Sequence, residues 1–283
     1  MNIQNKFDKY AINAFKPDAK IALLATINSE NLPHITLITS MIAKNENQLI
    51  WGQFSEGQSK KNVKQNPKTA FLIMTKSFDI WRGNAKWIDE KKEGDEFIEF
   101  NKKPMFRYNA YFGIHTVHYM DLIHTYGKEN LPFVQLASST LLTRFFNLKH
   151  NLFNKNKKNV LKSWAKDHLS QLLTLKYLSY IKEDGFPEII PIIQCIPLNS
   201  SQLIFSTLAY KKELQQIKKG TIVAVFGLNM QMESVLIRGI YDGFYSLSMI
   251  KMGLIDVNWV YNSMPPIPGQ VYPEIEIKKI INF

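Results

Sequence analysis

The stretch "EGQSKKNVKQNPK", residues 56–68, has the pattern of a short helix with its charges at an unusual end. We expect the helix to begin near Ser59 and to end before Pro67, because proline cannot continue a helix. Three lysines then crowd the positive end of the helix dipole, namely Lys60, Lys61 and Lys64. A bound anion would make them favourable there. The alternative is a solvated lysine face with Ser59 as an ordinary N-cap.

The segments around this stretch recur once, farther along the chain. Four ordered blocks match at nearly constant offsets of 153 to 156 residues. The matched blocks are "LATINSENLPHITLI" (24–38) with "YLSYIKEDGFPEIIPII" (177–193), "QLIWG" (48–52) with "QLIFS" (202–206), "TAFLIM" (69–74) with "IVAVFG" (222–227), and "WRGNAKW" (81–87) with "IRGIYDG" (237–243). Such order and spacing indicate an internal repeat.

Each copy has the pattern of a small antiparallel barrel with one short helix. Two strands meet at a turn, a third follows a loop, and the helix leads into an apolar strand and an Arg-Gly strand. We expect a last strand at 115–125 and at 253–262, and further helices at 89–102, 130–148 and 160–173. The predicted class is mainly β with flanking helices, as two tandem barrel domains spanning 1–150 and 151–283.

This order of elements resembles the FMN-binding split-barrel superfamily, the group around pyridoxamine 5'-phosphate oxidase. The resemblance is carried by "LATINSENLPHITLI", "LIWGQFSEGQSKKNVKQNPKTAFLI" and "DIWRGNAKW". A weaker similarity covers residues 177–243. It implies two tandem split barrels that bind FMN. Members are usually homodimers, so two barrels in one chain imply an internal pseudo-dimer that could still pair with another chain.

The resemblance also implies which residues contact the cofactor. The flavin phosphate is expected at the third strand and the start of the helix, and further contacts are expected on the second strand and on the Arg-Gly strand. The implied cofactor-binding residues are Thr39, Gln53, Phe54, Ser59, Lys60, Lys61, Asn62 and Arg82. Ser59 stands where many relatives carry a phosphate-binding lysine, and the second copy, with "AYKKELQQIKKG", lacks the Ser-Lys-Lys-Asn order.

Several side chains have two interpretations at this stage. Trp51, Trp81 and Trp87 could border a flavin ring, although core packing is the usual place of a strand tryptophan. Arg82 could donate to the flavin or form a structural ion pair, which the matching Arg238 would repeat. For His115, His118 and His124, surface or interface positions are expected rather than a metal site.

Composition narrows the class of protein. The single cysteine, Cys195, excludes an intrachain disulfide, and its apolar setting favours a buried thiol over a nucleophile. The apolar neighbourhood 131–146 is too short and polar to span a bilayer, so we expect a soluble, cytoplasmic protein. The net charge is +11, and the lysines are spread along the chain rather than clustered. We therefore attribute the charge to a general bias towards Lys and Asn, and not to a surface that binds nucleic acid or membranes. Residues 147–159 have the composition of a solvated linker.

These observations leave three functional hypotheses. The first is an FMN-dependent oxidoreductase that uses a reduced electron donor and an unidentified small substrate, with catalytic residues unknown. The C-terminal "PEIEIKKIINF" lacks the Arg/His motif of true pyridoxamine-phosphate oxidases, which argues against a vitamin B6 substrate. The second is a non-enzymatic flavin, heme or deazaflavin binding protein or sensor. The third is a basic nucleic-acid or membrane-surface protein.

Overall fold

The computed structural model describes residues 3–103, 113–150, 159–247, 250–264 and 269–275. Its contacts divide the chain into two compact units, Met1–Leu131 with Ser179–Ile189, and Pro132–Leu178 with Ile190–Phe283. Among the described residues, no helix has the length and apolar character needed to cross a bilayer.

The first sheet has seven antiparallel strands in the order β2-β1-β5-β6-β7-β4-β3. Its strands are β1 Ile21–Ile27, β2 Pro33–Leu37, β3 Ile42–Asn45, β4 Gln48–Gln53, β5 Lys68–Met74, β6 Asp79–Lys91 and β7 Thr116–Asn130. In the described part of this segment the helices are α1 Lys9–Ala14, α2 Gln58–Gln65 and α3 Asp95–Lys102. Helix α2 therefore lies between β4 and β5, as the repeat predicts.

The second sheet repeats this topology. Its strands are β8 Leu175–Ile181, β9 Pro187–Pro191, β10 Ile196–Pro197, β11 Gln202–Ser206, β12 Ile222–Leu228, β13 Ser234–Leu247, β14 Ile250–Asn262 and β15 Gly269–Tyr272. Read from β9, the order is β9-β8-β12-β13-β14-β11-β10, which is the first sheet's order with each number raised by seven, and β15 pairs with β14. The predicted fold class, mainly β with two tandem split barrels, is confirmed.

Three further helices lie in the ranges that the structure describes, α4 Phe133–His150, α5 Ser163–Ser170 and α6 Lys211–Leu214. The prediction of a helix over 89–102 was wrong in its first half. Strand β6 continues to Lys91, where it pairs with Val117 of β7, and the helix begins only after Gly94, whose φ is 103°. The predicted linker overlaps the end of α4, and residues 151–158 of it lie outside the described residues, as does most of the C-terminal stretch.

An aromatic core fills the first barrel. Trp51 and Trp81 are buried in one apolar cluster with Phe7, Phe15 and Phe71. The rings of Phe15 and Trp81 meet edge to face at 5.3 Å between centroids. Such contacts add to the hydrophobic stabilisation from burial. Trp81 is thus a core residue, and it anchors the chain segment around α1 against the barrel.

Candidate functional site

Helix α2 presents two different faces. Ser59, Asn62 and Val63 are buried, and α2 packs on β1 and β2 through this face. Lys61 and Lys64 are exposed and Lys60 is half-buried. The position that caps the helix is Gly57, which makes no side-chain capping bond. Ser59 is therefore not the N-cap, and the interpretation of it as an ordinary cap was wrong.

Ser59 and Asn62 are hydrogen-bonded to the sheet beneath the helix. The Ser59 hydroxyl lies 2.5 Å from the Thr36 hydroxyl. The Asn62 amide donates to the Thr26 hydroxyl at 2.9 Å. Both side chains are essentially fully buried. These bonds orient α2 on β1 and β2, and they place both predicted phosphate ligands on the face opposite to the exposed lysines.

The exposed face of α2 borders a small cleft of about 120 Å³. Nine side chains line it: Gln53, Glu56, Lys60, Lys61, Lys64, Glu90, Lys92, His115 and Thr116. Four of these are lysines and two are glutamates, so the cleft is cationic. Lys64 binds Glu90 at 2.8 Å, which leaves Lys60, Lys61 and Lys92 as the lysines without a carboxylate contact among the described ion pairs.

Lys60 is the least exposed lysine at the start of the helix, between the exposed Gln58 and Lys61. Burial lowers its pKa, and the nearby Glu56 carboxylate partly opposes that shift. Its ammonium group lies close to the start of the helix, since a Cβ built on Gly57 would be 3.2 Å from Lys60 Nζ. An anion in the cleft would offset the cost of burying this charge. The glycine at 57 keeps room for that ammonium group.

A chain of hydrogen bonds runs from the cleft into the barrel. Gln53, at the end of β4, donates through Nε2 to Glu56 at 3.1 Å. Its Oε1 lies 2.7 Å from Nε2 of His118. The Trp87 indole N–H donates to the other ring nitrogen of His118 at 3.2 Å. These hydrogen bonds thus link cleft residues to His118, which has no exposed surface.

His118 is held neutral by this environment. Burial, followed by the charges of Lys60 and Lys64 and by His115, lowers its pKa to about 3. The ring also stacks on Trp51, with 3.8 Å between centroids and 9° between planes. A surface or interface position was expected for the histidines, and for His118 this was wrong. The pairing of Trp51 with His118 across β4 and β7 brings both rings to the inside of the barrel.

The other predicted site residues lie away from this cleft. Thr39 lies in the turn after β2 rather than on the strand, and Phe54 packs against the apolar cluster around Phe100 and Tyr119. Arg82 is fully buried and binds Glu129 through Nε at 2.7 Å and Nη2 at 3.0 Å. The cleft thus brings together only Gln53, Lys60 and Lys61 of the predicted set.

Sequence reasoning missed several cleft residues. Glu90 lies near the end of β6 and Lys92 directly after it, and Thr116 is the first residue of β7 with His115 directly before it. They reach the neighbourhood of α2 through the pairing of the long strands β6 and β7. The sequence near these residues does not predict that pairing. Nowhere in the described ranges do three His, Cys, Asp or Glu side chains group as a metal ion would require.

A protein-family model matches the part of the chain that forms this cleft. Residues 9–116 match the family model described as "Pyridoxamine 5'-phosphate oxidase". The split-barrel resemblance expected from the sequence is confirmed over this segment, which contains every cleft residue. No curated protein matches the chain.

Several solved structures also match the chain, each at low sequence identity and over about the length of one barrel. An FMN-binding protein from Syntrophomonas wolfei is 17% identical, over 43% of this chain and 84% of that chain, with a TM-score of 0.37. HupZ of Group A Streptococcus is 15% identical, over 42% and 92%, with a TM-score of 0.36. An F420 reductase is 13% identical, over 42% and 97%, with a TM-score of 0.34.

Proposed function

We propose that the first barrel binds FMN non-covalently and that its cleft beside α2 receives the phosphate group. The observation that carries the proposal is the cationic cleft formed by Lys60 and Lys61 at the start of α2, within the segment that matches the oxidase family. Lysine ammonium groups and helix-start N–H groups are suited to a phosphate dianion.

The size of the cleft limits which part of the cofactor it holds. A volume of about 120 Å³ suits a phosphate group, whereas whole ligands of drug size occupy roughly 300–1,000 Å³. The isoalloxazine ring therefore needs surface outside the cleft. Bound FMN would supply hydride and electron transfer, and the chain would bind and orient it. We propose an oxidoreductase that acts on a small substrate with a reduced electron donor.

Flavin binding is the first test of this proposal. Purified protein mixed with excess FMN and then desalted is expected to retain the blue absorbance band of a bound flavin, at one flavin per chain. One site is expected because α6, the second copy's counterpart of α2, has only four residues. Folded protein that retains no flavin would overturn the proposal, and two flavins per chain would contradict a single site.

Replacing Lys60 and Lys61 together with alanine tests the cleft itself. Loss of two charge-assisted contacts is expected to weaken FMN binding by about 100-fold, from roughly 1.5 kcal/mol for each contact. The matched control is the double variant K76A/K102A, which removes two exposed lysines that do not line the cleft. Fluorescence titration of FMN measures both. Equal FMN affinity in the two double variants would show that Lys60 and Lys61 only form a solvated face of α2 and do not bind the phosphate.

A non-enzymatic flavin-binding protein or sensor is the second candidate. The observation that favours it is the setting of His118, which is fully buried and has both ring nitrogens hydrogen-bonded, to Trp87 and to Gln53, so that neither nitrogen faces a substrate. Turnover of a reduced nicotinamide with a dye acceptor separates the two functions. Protein that retains bound FMN but does not oxidise the reduced nicotinamide would support the second candidate.

A further inference from the structure

We propose that His118 is a positioning residue that orients the Gln53 amide so that its N–H groups, rather than its carbonyl, face the anion in the cleft. This inference rests on the proposed function, because the anion is the phosphate group proposed above. It adds a neutral, directional donor to the lysines, and it gives a role to a histidine buried inside the barrel.

The first step is the protonation state of the His118 ring. An indole N–H can only donate, so the Trp87 bond requires an unprotonated acceptor at His118 Nδ1. A neutral imidazole with a bare Nδ1 carries its proton on Nε2. Nε2 therefore donates to Gln53 Oε1 across their 2.7 Å contact.

The second step is the rigidity of the ring. His118 has no exposed surface, and it is stacked on Trp51 at 3.8 Å. The two residues are also direct partners in the β4–β7 register, so the backbone holds their side chains together. A ring held by stacking, by strand pairing and by Trp87 has one orientation in which to meet Gln53.

The third step is the consequence for Gln53. Because Oε1 accepts from His118, the amide must turn Nε2 towards the cleft that Gln53 lines. One of its two N–H groups already has an acceptor there, the carboxylate of Glu56 at 3.1 Å. This carboxylate oxygen marks where an anionic acceptor fits beside Gln53. A phosphate oxygen in the cleft would accept from the same amide group.

A double-mutant cycle separates positioning from general structural support. The variants are Q53A, H118F and Q53A/H118F, where phenylalanine keeps an aromatic ring on Trp51 without a donor. Q53A and H118F are each expected to weaken FMN binding by about tenfold. The double variant is expected to bind as Q53A does, because His118 acts through Gln53. Losses that multiply in the double variant, or an unchanged affinity in H118F, would overturn the inference.

Riboflavin gives a second readout, since it has the ring but no phosphate. H118F is expected to leave riboflavin affinity unchanged and to weaken the competition of inorganic phosphate against FMN. An equal loss for riboflavin would mean that His118 supports the ring or the barrel, and it would overturn the inference. Wild-type protein that is folded but binds neither FMN nor inorganic phosphate would instead overturn the proposed function, together with the inference built on it.

The variant H118Q covers the case in which H118F does not fold. A glutamine amide can still donate to Gln53 Oε1. We expect its FMN affinity to lie within about threefold of the wild type, well above that of Q53A. Circular dichroism establishes that each variant is folded. A loss in H118Q as large as that in Q53A would contradict positioning through this hydrogen bond.

Discussion

At the scale of single residues, Arg82 illustrates a side chain whose partners decide its role. Its guanidinium binds Glu129 through two nitrogens, and a third donates to the carbonyl of Ile189 at 3.0 Å. Glu188 lies 3.8 Å away. Of the two interpretations left open by the sequence, these contacts support the structural ion pair. In the second unit, the Arg238 guanidinium lies over the ring of Trp259, 3.6 Å from its centroid.

Replacing Arg82 with glutamine is expected to destabilise the protein without weakening FMN binding. Removing the buried guanidinium leaves the partly exposed Glu129 without its bidentate partner, and Glu188 keeps Lys182 at 3.6 Å, so we expect a cost of about 3 kcal/mol, the lower end of the range for a broken buried pair. Urea denaturation measures this change in the free energy of unfolding. The control R82M/E129M, which removes both charges, is expected to recover part of the loss. A stable R82Q that has lost FMN affinity would instead make Arg82 a ligand-binding residue.

At the scale of elements, the repeated Arg-Gly pair is explained by its glycine. In β6, a Cβ on Gly83 would lie 2.1 Å from the backbone oxygen of His124 in β7. In β13, a Cβ on Gly239 would lie 2.4 Å from the backbone oxygen of Asp256 in β14. Both glycines adjoin shifts in strand register. Each barrel therefore needs a residue without a side chain where its two longest strands approach closely.

Replacing Gly83 with alanine is expected to lower the free energy of unfolding by about 3 kcal/mol, because the opposing atoms are backbone and cannot move aside without disturbing the strand pair. Thermal and urea denaturation measure the change. The matched control is G269A, since an added Cβ at Gly269 meets no atom of the described residues within 4 Å. Equal stability of the two variants would show that β6 and β7 separate readily at this point.

At the scale of the whole molecule, buried histidines couple stability to pH. Burial lowers the pKa of His118, His124 and His168, for His118 to about 3. The unfolded chain binds protons at these sites below about pH 6.5, whereas the folded chain binds them only at lower pH. Stability contributed by the neutral state is therefore present above that pH and, for His118, is lost as the pH falls towards 3.

The variant H118Q is expected to show a shallower loss of stability on acidification. Between about pH 6 and pH 4, the wild type loses up to about 1.4 kcal/mol per pH unit through His118 alone, and H118Q lacks this contribution. Urea denaturation at several pH values measures both proteins. Carboxyl groups near the ring, such as Glu90 at 3.7 Å from Nδ1, are present in both, so the difference isolates His118. Parallel pH profiles would contradict a neutral buried imidazole.

Much of the fold and part of the site could be predicted from local patterns. The ordered repeat predicted two barrels because strand and turn signals are short-range and recur in the same order in both copies. The helix start predicted Lys60 and Lys61, because their position follows from the helix boundary. Ser59 and Asn62 were also placed on this helix correctly, but which face they occupy depends on Thr26 and Thr36, which are distant in the chain.

Local sequence patterns were enough to establish the two-barrel plan, the position of α2 between β4 and β5, and the excess of positive charge at the start of that helix. Which charges and polar groups meet depended on the folded chain. Folding paired Arg82 with Glu129, turned Ser59 and Asn62 inward, and joined the stretch of residues 56–68 to His118 through Gln53. Hydrogen bonds and ion pairs act over a few ångströms in space, and the pairing of β4 with β7 brings Gln53 and His118, 65 positions apart, to that distance.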